Sequence, residues 1–356
     1  MEEFMELLKI AIIGCGRIAN NAHLGPLSKM KDVEIKYAVD LIEERALAVK
    51  KQFGAREAIT DYKAALADKE VEAVFILTPN YSHYTVTMDA LAAGKHVFCE
   101  KPITNNYKLS KEMADEAKKQ NKILNIGVCN RYHKSVELIK EYIEKGKLGD
   151  IYHVYCSFRN FRSIPGLGGA FTSKKESGGG VLIDWGIHFL DLILYITGVK
   201  ICTVSANTYN KLGHDIKAYV YKDMWAGPPI PDGICDVDDM VTGFIRTSGA
   251  SISFNGAWAQ NINENEMYID FMGDKGGIRF IYGRDFTFYT TDGGFFQSVK
   301  PDYHIPDMYK REDIRFIEAI RAGLKTRSHI DEVLESARLL DAIYESADKQ
   351  AEIKIG

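Results

Sequence analysis

Lys9-Ile-Ala-Ile-Ile-Gly-Cys-Gly-Arg-Ile-Ala19 is the stretch on which the fold turns. An apolar run stops in glycines where a helical pattern begins, which predicts a strand, a tight turn and a helix. Gly14, Gly16 and Ala19 occupy the three small-residue positions of a dinucleotide fingerprint: the first lets the chain turn, the second lets backbone approach a pyrophosphate, and the third lets helix pack on strand. Arg17 and Ile18 complete the turn, and the helix N-terminus offers N–H groups and a positive dipole end to phosphates. Asp40 closes the next apolar run, Val33 to Val39, about 20 residues further on, where a carboxylate reaches the ribose hydroxyls and repels a 2′-phosphate. The expected cofactor is therefore NAD in preference to NADP.

Outward from this stretch the bulk properties narrow the choices. A chain of 356 residues favours two domains. A formal net charge of -4, with no long block of like charge, points away from nucleic acid and anionic membranes and toward a small-molecule partner. The 6 cysteines show no zinc or disulfide spacing and read as buried thiols of a reducing compartment. The acidic start, Met1-Glu-Glu-Phe-Met-Glu6, has no export-signal pattern, so a cytoplasmic protein is expected. The most apolar long stretch, 181–196, carries Asp184, His188 and Asp191 and reads as a buried helix rather than a membrane span.

Apolar strands alternate with helical patterns as far as the strand 123–127, which predicts a doubly wound parallel sheet. Ligands in such sheets bind beyond the carboxyl ends of the strands, where Gly14, Asp40, Thr78-Pro79-Asn80 and Lys101 fall. Asn80 is placed to cap the helix that follows it. From Ile151 onward, β-branched and aromatic residues at strand spacing predict an antiparallel meander over 202–207, 240–247, 250–258, 266–272 and 277–282. The fold class is an α/β Rossmann domain followed by an α+β domain with a large open, mainly antiparallel sheet, with boundaries at 1–128 and 129–356. A final helix over 331–347 packs back on the fold.

Two stretches carry chemistry. Glu100-Lys101-Pro102 puts a lysine at a strand's carboxyl end, and a tight turn there predicts a cis Lys101–Pro102 bond. Ser177-Gly-Gly-Gly-Val-Leu-Ile-Asp-Trp-Gly-Ile-His188 puts Asp184 and His188 four apart on an otherwise apolar helix, where ionisable groups are costly unless paired or functional. The same pair can simply satisfy each other, or His188 can pair with Asp191. No second histidine or cysteine cluster completes a metal site, so no metal is expected.

Taken together, Gly14-x-Gly16-x-x-Ala19, Asp40, Thr78-Pro79-Asn80 with His83, Glu100-Lys101-Pro102 and Gly178-Gly-Gly-x-x-x-Asp184-x-x-x-His188 resemble the Gfo/Idh/MocA oxidoreductases. Val237-Asp-Asp239, Gly273-Asp-Lys-Gly276 and Ala342-Ile-Tyr-Glu-Ser-Ala347 are similar to later segments of that family. The resemblance implies NAD(P)-linked oxidation or reduction of a sugar, glycoside or cyclitol, with Lys101, Asp184 and His188 at the catalytic positions. It puts Asn80 and Glu100 on the nicotinamide side, and Thr78 and His83 with the cofactor contacts. A secondary alcohol oxidised to a ketone needs a base and a hydrogen-bond donor; Lys101 as donor and His188 as base, or the reverse, both meet that need. Tyr155, Arg159, Arg162 and Lys175 flank the site in sequence and are candidates for holding substrate hydroxyls. The stretch 219–235, rich in aromatics, glycine and proline, departs from the family pattern and can be a lid, a subunit contact or a plain loop. Scarce arginines and plentiful aromatics favour a neutral glycoside oxidised at a ring hydroxyl, carbon 3 first. A hydrolase that retains NAD and works by transient oxidation, and a non-catalytic dinucleotide sensor, are the alternatives. The open sheet face, and pairing of family members there, imply a homo-oligomer, a dimer or larger.

Overall fold

Six parallel strands form one sheet of the computed structural model, which describes residues 7–222 and 224–355. The chain divides into two units: one runs to Tyr132 and takes in Asp307–Leu334, and the other is His133–Pro306 with the residues from Glu335 on.

In the first unit β1 (Leu8–Ile13), β2 (Val33–Val39), β3 (Glu57–Ile59), β4 (Ala73–Ile76), β5 (His96–Glu100) and β6 (Leu124–Gly127) lie in the order β3-β2-β1-β4-β5-β6. That is the doubly wound order, in which the chain reverses direction across the sheet between β1 and β4. β4 is buried along its whole length, as a parallel strand covered on both faces must be. The helices between the strands are α1 (Leu24–Leu27), α2 (Glu43–Phe53), α3 (Tyr62–Ala67), α4 (His83–Ala92) and α5 (Tyr107–Lys119). Local chemistry sets their ends: α2 opens on Glu43 and Glu44, closes on Lys50 and Lys51, and stops at Gly54 in the left-handed conformation. The Asn106 side chain caps α5 by accepting from the Leu109 N–H at 3.0 Å. The returning segment brings the helix Met308–Ala322, whose Phe316 packs edge-on to Phe75 and Phe98 at 5.4 and 5.7 Å. Beyond it Ser328 O accepts the Ile126 N–H at 2.9 Å, beside β6.

The second unit has a nine-stranded sheet of β7 (Ile151–Arg159), β8 (Ile201–Tyr209), β9 (Met240–Thr247), β10 (Ser251–Ala257), β11 (Glu266–Gly273), β12 (Gly276–Ile281), β13 (Phe286–Asp292), β14 (Phe295–Val299) and β15 (Ile353–Lys354). Its order, β14-β13-β12-β11-β7-β10-β9-β8-β15, is not the simple meander that the sequence suggests, because β7 is inserted between β11 and β10 and runs parallel to β10. Val154, Cys156 and Phe158 explain that central place: all are fully buried on the face covered by helices. α6 (Lys134–Glu144) and α8 (Ile187–Thr197) supply the cover, with Phe158 stacked on Phe189 at 5.0 Å, and the short α7 (Lys174–Ser177) precedes α8 with its lysines exposed. The stretch Lys174–Thr197 is long and apolar enough to cross a membrane by composition, but 78% of its most apolar window is buried inside the unit. Thiol burial is less complete than the sequence suggests: Cys15, Cys99, Cys129 and Cys156 are buried, Cys235 is half-buried, and Cys202 is exposed because it points outward from β8.

Candidate active site

The first unit offers its functional groups from the loops after the strands. β1 runs into Gly14 at a φ of 98°, and a Cβ there would lie 2.6 Å from the Leu77 carbonyl oxygen, so only glycine fits. A Cβ on Gly16 would meet nothing within 4 Å. The space over the turn is open, as a pyrophosphate lying on backbone requires. Asn20, unremarkable in the sequence, ties the turn together by donating from Nδ2 to Cys15 O at 2.9 Å and Gly16 O at 2.8 Å. Arg17 is exposed beside it, Ile18 is half-buried, and the helix then opens with a π-helical turn, Ala19–His23. Asp40 is held at the mouth of the fingerprint, with Oδ2 accepting the Cys15 N–H and Oδ1 the Ile42 N–H, each at 2.9 Å. Burial and the Asp40 carboxylate push the Cys15 thiol up to about 12, which leaves it an inert neighbour of the turn.

β4 delivers Thr78, Pro79 and Asn80, and β5 delivers Glu100, Lys101 and Pro102. Asn80 opens a 3₁₀ turn, Asn80–Ser82, and α4 starts only at His83 with Ser82 in the cap position, so Asn80 lies a turn ahead of the cap expected for it. His83 is fully buried, with ring nitrogens 2.8 Å from Pro102 O and 2.9 Å from Thr78 O. It braces the two loops from below instead of facing a ligand, and burial pushes its pKa down. Glu100 is also buried, and its Oε2 accepts the Lys101 N–H at 3.0 Å. Lys101 itself is half-buried, and the Lys101–Pro102 bond is cis.

In the second unit a carboxylate organises the other catalytic candidates. Asp238, just before β9, accepts the Gly180 N–H at 2.8 Å and the Leu182 N–H at 3.0 Å, and Tyr344 donates its hydroxyl at 2.7 Å. Gly180 is obligatory, since a Cβ would fall 1.8 Å from Asp238 O. This clamp starts a π-helical turn, Leu182–Gly186, that holds Asp184 and leads into α8 with His188. The pair therefore spans a π-to-α junction and not a regular α-helical face, because the wider π turn changes the stacking of residues four apart. Trp258, 1% exposed, donates from Nε1 to Asp184 Oδ2 at 3.3 Å, a contact the sequence could not signal because the two residues are far apart in the chain. His188 is half-buried with its ring 6.4 Å from that of Tyr282, and Asp191 is buried and accepts from Ser336 at 2.7 Å.

The four flanking candidates are scattered. Tyr155 and Arg159 alternate with Val154, Cys156 and Phe158 along β7, so they stand on the sheet face away from α8; Tyr155 packs on Tyr268 at 5.9 Å and Arg159 pairs with Glu266. Arg162 donates to Asn261 Oδ1 at 2.5 Å and lies 5.7 Å from the Tyr219 ring. Lys175 is exposed on α7. The 219–235 stretch folds onto the 165–172 loop, with Ile230 N–H donating to Leu167 O at 2.8 Å and Trp225 edge-on to Phe171 at 5.0 Å.

Comparison with known proteins bears on both units. A family profile described as oxidoreductase family, NAD-binding Rossmann fold matches residues 8–128, and one described as GFO/IDH/MocA C-terminal domain matches residues 136–279. The chain is 27% identical over 351 residues to D-glucoside 3-dehydrogenase of Escherichia coli (strain K12), covering 98% of this chain and 97% of that protein. It is 32% identical over 201 residues to myo-inositol 2-dehydrogenase of Thermotoga maritima, covering 56% of this chain and 58% of that one. Among solved structures, levoglucosan dehydrogenase in complex with NADH and levoglucosan shares the fold at a TM-score of 0.85 and 24% identity, over 98% of this chain and 100% of that one.

Proposed function

From the premise that the chain belongs to the Gfo/Idh/MocA family of NAD-binding sugar and cyclitol dehydrogenases, we propose that it oxidises carbon 3 of a neutral pyranose glycoside. The observation that carries the carbon-3 reading is the near end-to-end match to D-glucoside 3-dehydrogenase. Two features of this chain support a neutral substrate: Arg159 is committed to Glu266, and Arg162 to Asn261. Neither is the uncommitted fork with which a phosphate is usually gripped.

The open backbone at Gly16 and the placed carboxylate of Asp40 fit a bound NAD, which supplies the hydride acceptor. We assign the proton chemistry to Lys101, Asp184 and His188. In this reading Lys101 donates a hydrogen bond to the substrate oxygen as its proton leaves, and His188 takes that proton. The first unit is then the NAD-binding domain, and the second the substrate-binding and oligomerisation domain.

The test is kcat/KM for a glucoside, its free sugar, its 6-phosphate and myo-inositol, with NADH and released aglycone both followed. Net NADH with the glucoside preferred supports the proposal. A clear preference for the phosphate or the inositol overturns the substrate, and aglycone released without net NADH replaces the dehydrogenase reading with that of an NAD-retaining hydrolase.

A further inference from the structure

Beneath the end of β5 the first unit buries more ionisable groups than the proposed chemistry uses. His23 closes the π-helical turn and is fully buried, with its ring edge-on to Phe98 at 5.1 Å and to Tyr309 at 5.7 Å. Its Nδ1 lies 2.8 Å from Asp313 Oδ1, and its Nε2 lies 3.1 Å from Glu100 Oε1. The second Glu100 oxygen accepts the Lys101 N–H at 3.0 Å. Gly127 on β6 makes the room, since a Cβ there would sit 2.7 Å from Glu100 Oε1. Burial opposes charge on His23, but Asp313 and Glu100 together carry its pKa up to about 10. Glu312 is buried with neither carboxylate oxygen hydrogen-bonded, and burial pushes it well above the ordinary carboxylate range, so it stays protonated.

Apolar residues would fill this space with less desolvation cost, so a chain of buried charges needs another reason. It is not a metal site: among the described residues no group of three or more His, Cys, Asp or Glu side chains is placed to hold an ion. What the chain does have is a direction. It starts at Asp313 on the helix Met308–Ala322, passes through His23 and Glu100, and ends on the backbone N–H of Lys101.

We infer that His23 is a positioning residue for Lys101, acting by clamping the Glu100 carboxylate that holds the Lys101 backbone. The inference rests on the reading of Lys101 as a catalytic group. A remote change that moves a reacting group by about 1 Å can cost roughly 100-fold in rate.

Two conservative replacements separate positioning from packing. In His23→Asn the amide nitrogen takes the place of Nδ1, keeping Asp313 and releasing Glu100; in His23→Gln it takes the place of Nε2, keeping Glu100 and releasing Asp313. We expect His23→Asn to lower kcat about 10-fold to 100-fold with NAD⁺ affinity changed by no more than about 2-fold, and His23→Gln to keep most of kcat. The second readout needs no substrate: the rate at which an amine-reactive reagent labels Lys101, read by peptide mass spectrometry in the NAD⁺-bound protein, should change in His23→Asn and not in His23→Gln. Equal kcat losses in the two variants, or an unchanged kcat and labelling rate in His23→Asn, overturn the inference. If the wild-type protein oxidises no sugar or cyclitol, the proposed function falls, and the labelling rates alone decide whether His23 positions Lys101.

Discussion

Replacing Asp238 with alanine tests the idea that one buried carboxylate builds the start of the helix carrying Asp184 and His188. The substitution strands three donors at once: the Gly180 N–H, the Leu182 N–H and the Tyr344 hydroxyl. Each buried donor left unsatisfied costs about 1–3 kcal/mol, giving about 3–9 kcal/mol before any relief. Relief comes from the charge itself, since burial raises the Asp238 pKa against the opposing hydrogen bonds, and its removal returns part of that penalty. The net expectation is about 3–5 kcal/mol, the usual loss when one partner of a buried charged network is removed. For a unit of this size that lowers the melting temperature by roughly 6–20 °C. Tyr344→Phe removes one donor along with its bond and should cost only about 1 kcal/mol. Hydrogen exchange of peptides covering 181–197, followed by mass spectrometry, localises the loss, and kcat should fall with Asp238→Ala because Asp184 lies two residues beyond the clamp. A melting temperature within a few degrees of wild type, or exchange unchanged in that helix, would refute the reasoning.

Four further outcomes are expected. Asp40 should give NAD tighter binding than NADP, and Asp40→Ser should narrow the gap by about 10-fold; an equal or tighter NADP titration in the wild type contradicts this. Lys101→Ala and His188→Ala should each lower kcat by about 100-fold while NAD⁺ binding stays nearly intact, so a variant that keeps its rate loses its assigned role. His23 rises from 6.5 in the unfolded chain to about 10 in the fold, so its contribution is complete below pH 6.5 and disappears as pH climbs through 10. Glu312, raised by burial, acts in the same sense, because the folded state again holds the extra proton; unfolding of the first unit should become easier as pH rises, with a flatter slope in His23→Gln. The protein should be a homo-oligomer using the sheet face with Tyr155, Tyr268 and Phe244, and a monomeric mass by light scattering at micromolar concentration would count against it.

What was legible in the sequence follows the range of each interaction. β1 and β4 announce themselves because an apolar run of strand length is a local signal that tertiary packing does not override, and at β1 the glycines that follow it mark the fingerprint turn. Asp40 was legible for the same reason, as an acid closing a strand. The place of β7 was not, since its alternation fits an edge or a centre equally well and only pairing with β10 and β11 decides. His83 and Glu100 carry a motif-level signal for the cofactor, yet their side chains turn inward to carbonyls and to a histidine, a direction no spacing encodes. The π-helical turns at Ala19–His23 and Leu182–Gly186 escaped because a 3.6-residue pattern tolerates one extra residue without losing its apolar face. Trp258 beside Asp184 and Asp313 beside His23 are long-range pairs of ordinary residue types, visible only once the chain has folded.

That last pair bears on how the protein is made. A nascent chain leaves the ribosome with its N-terminus first, so β1 to β6 emerge long before the helix Met308–Ala322 that completes their layer. Until then His23 lacks its partner Asp313, the Phe75 and Phe98 rings lack Phe316, and the edge at β6 lacks Ser328. Folding one finished domain after another during synthesis is closed to this topology. A premature stop anywhere between Gly127 and the end of the helix Met308–Ala322 therefore damages the first unit as well as the second, although every strand of its parallel sheet has already been translated.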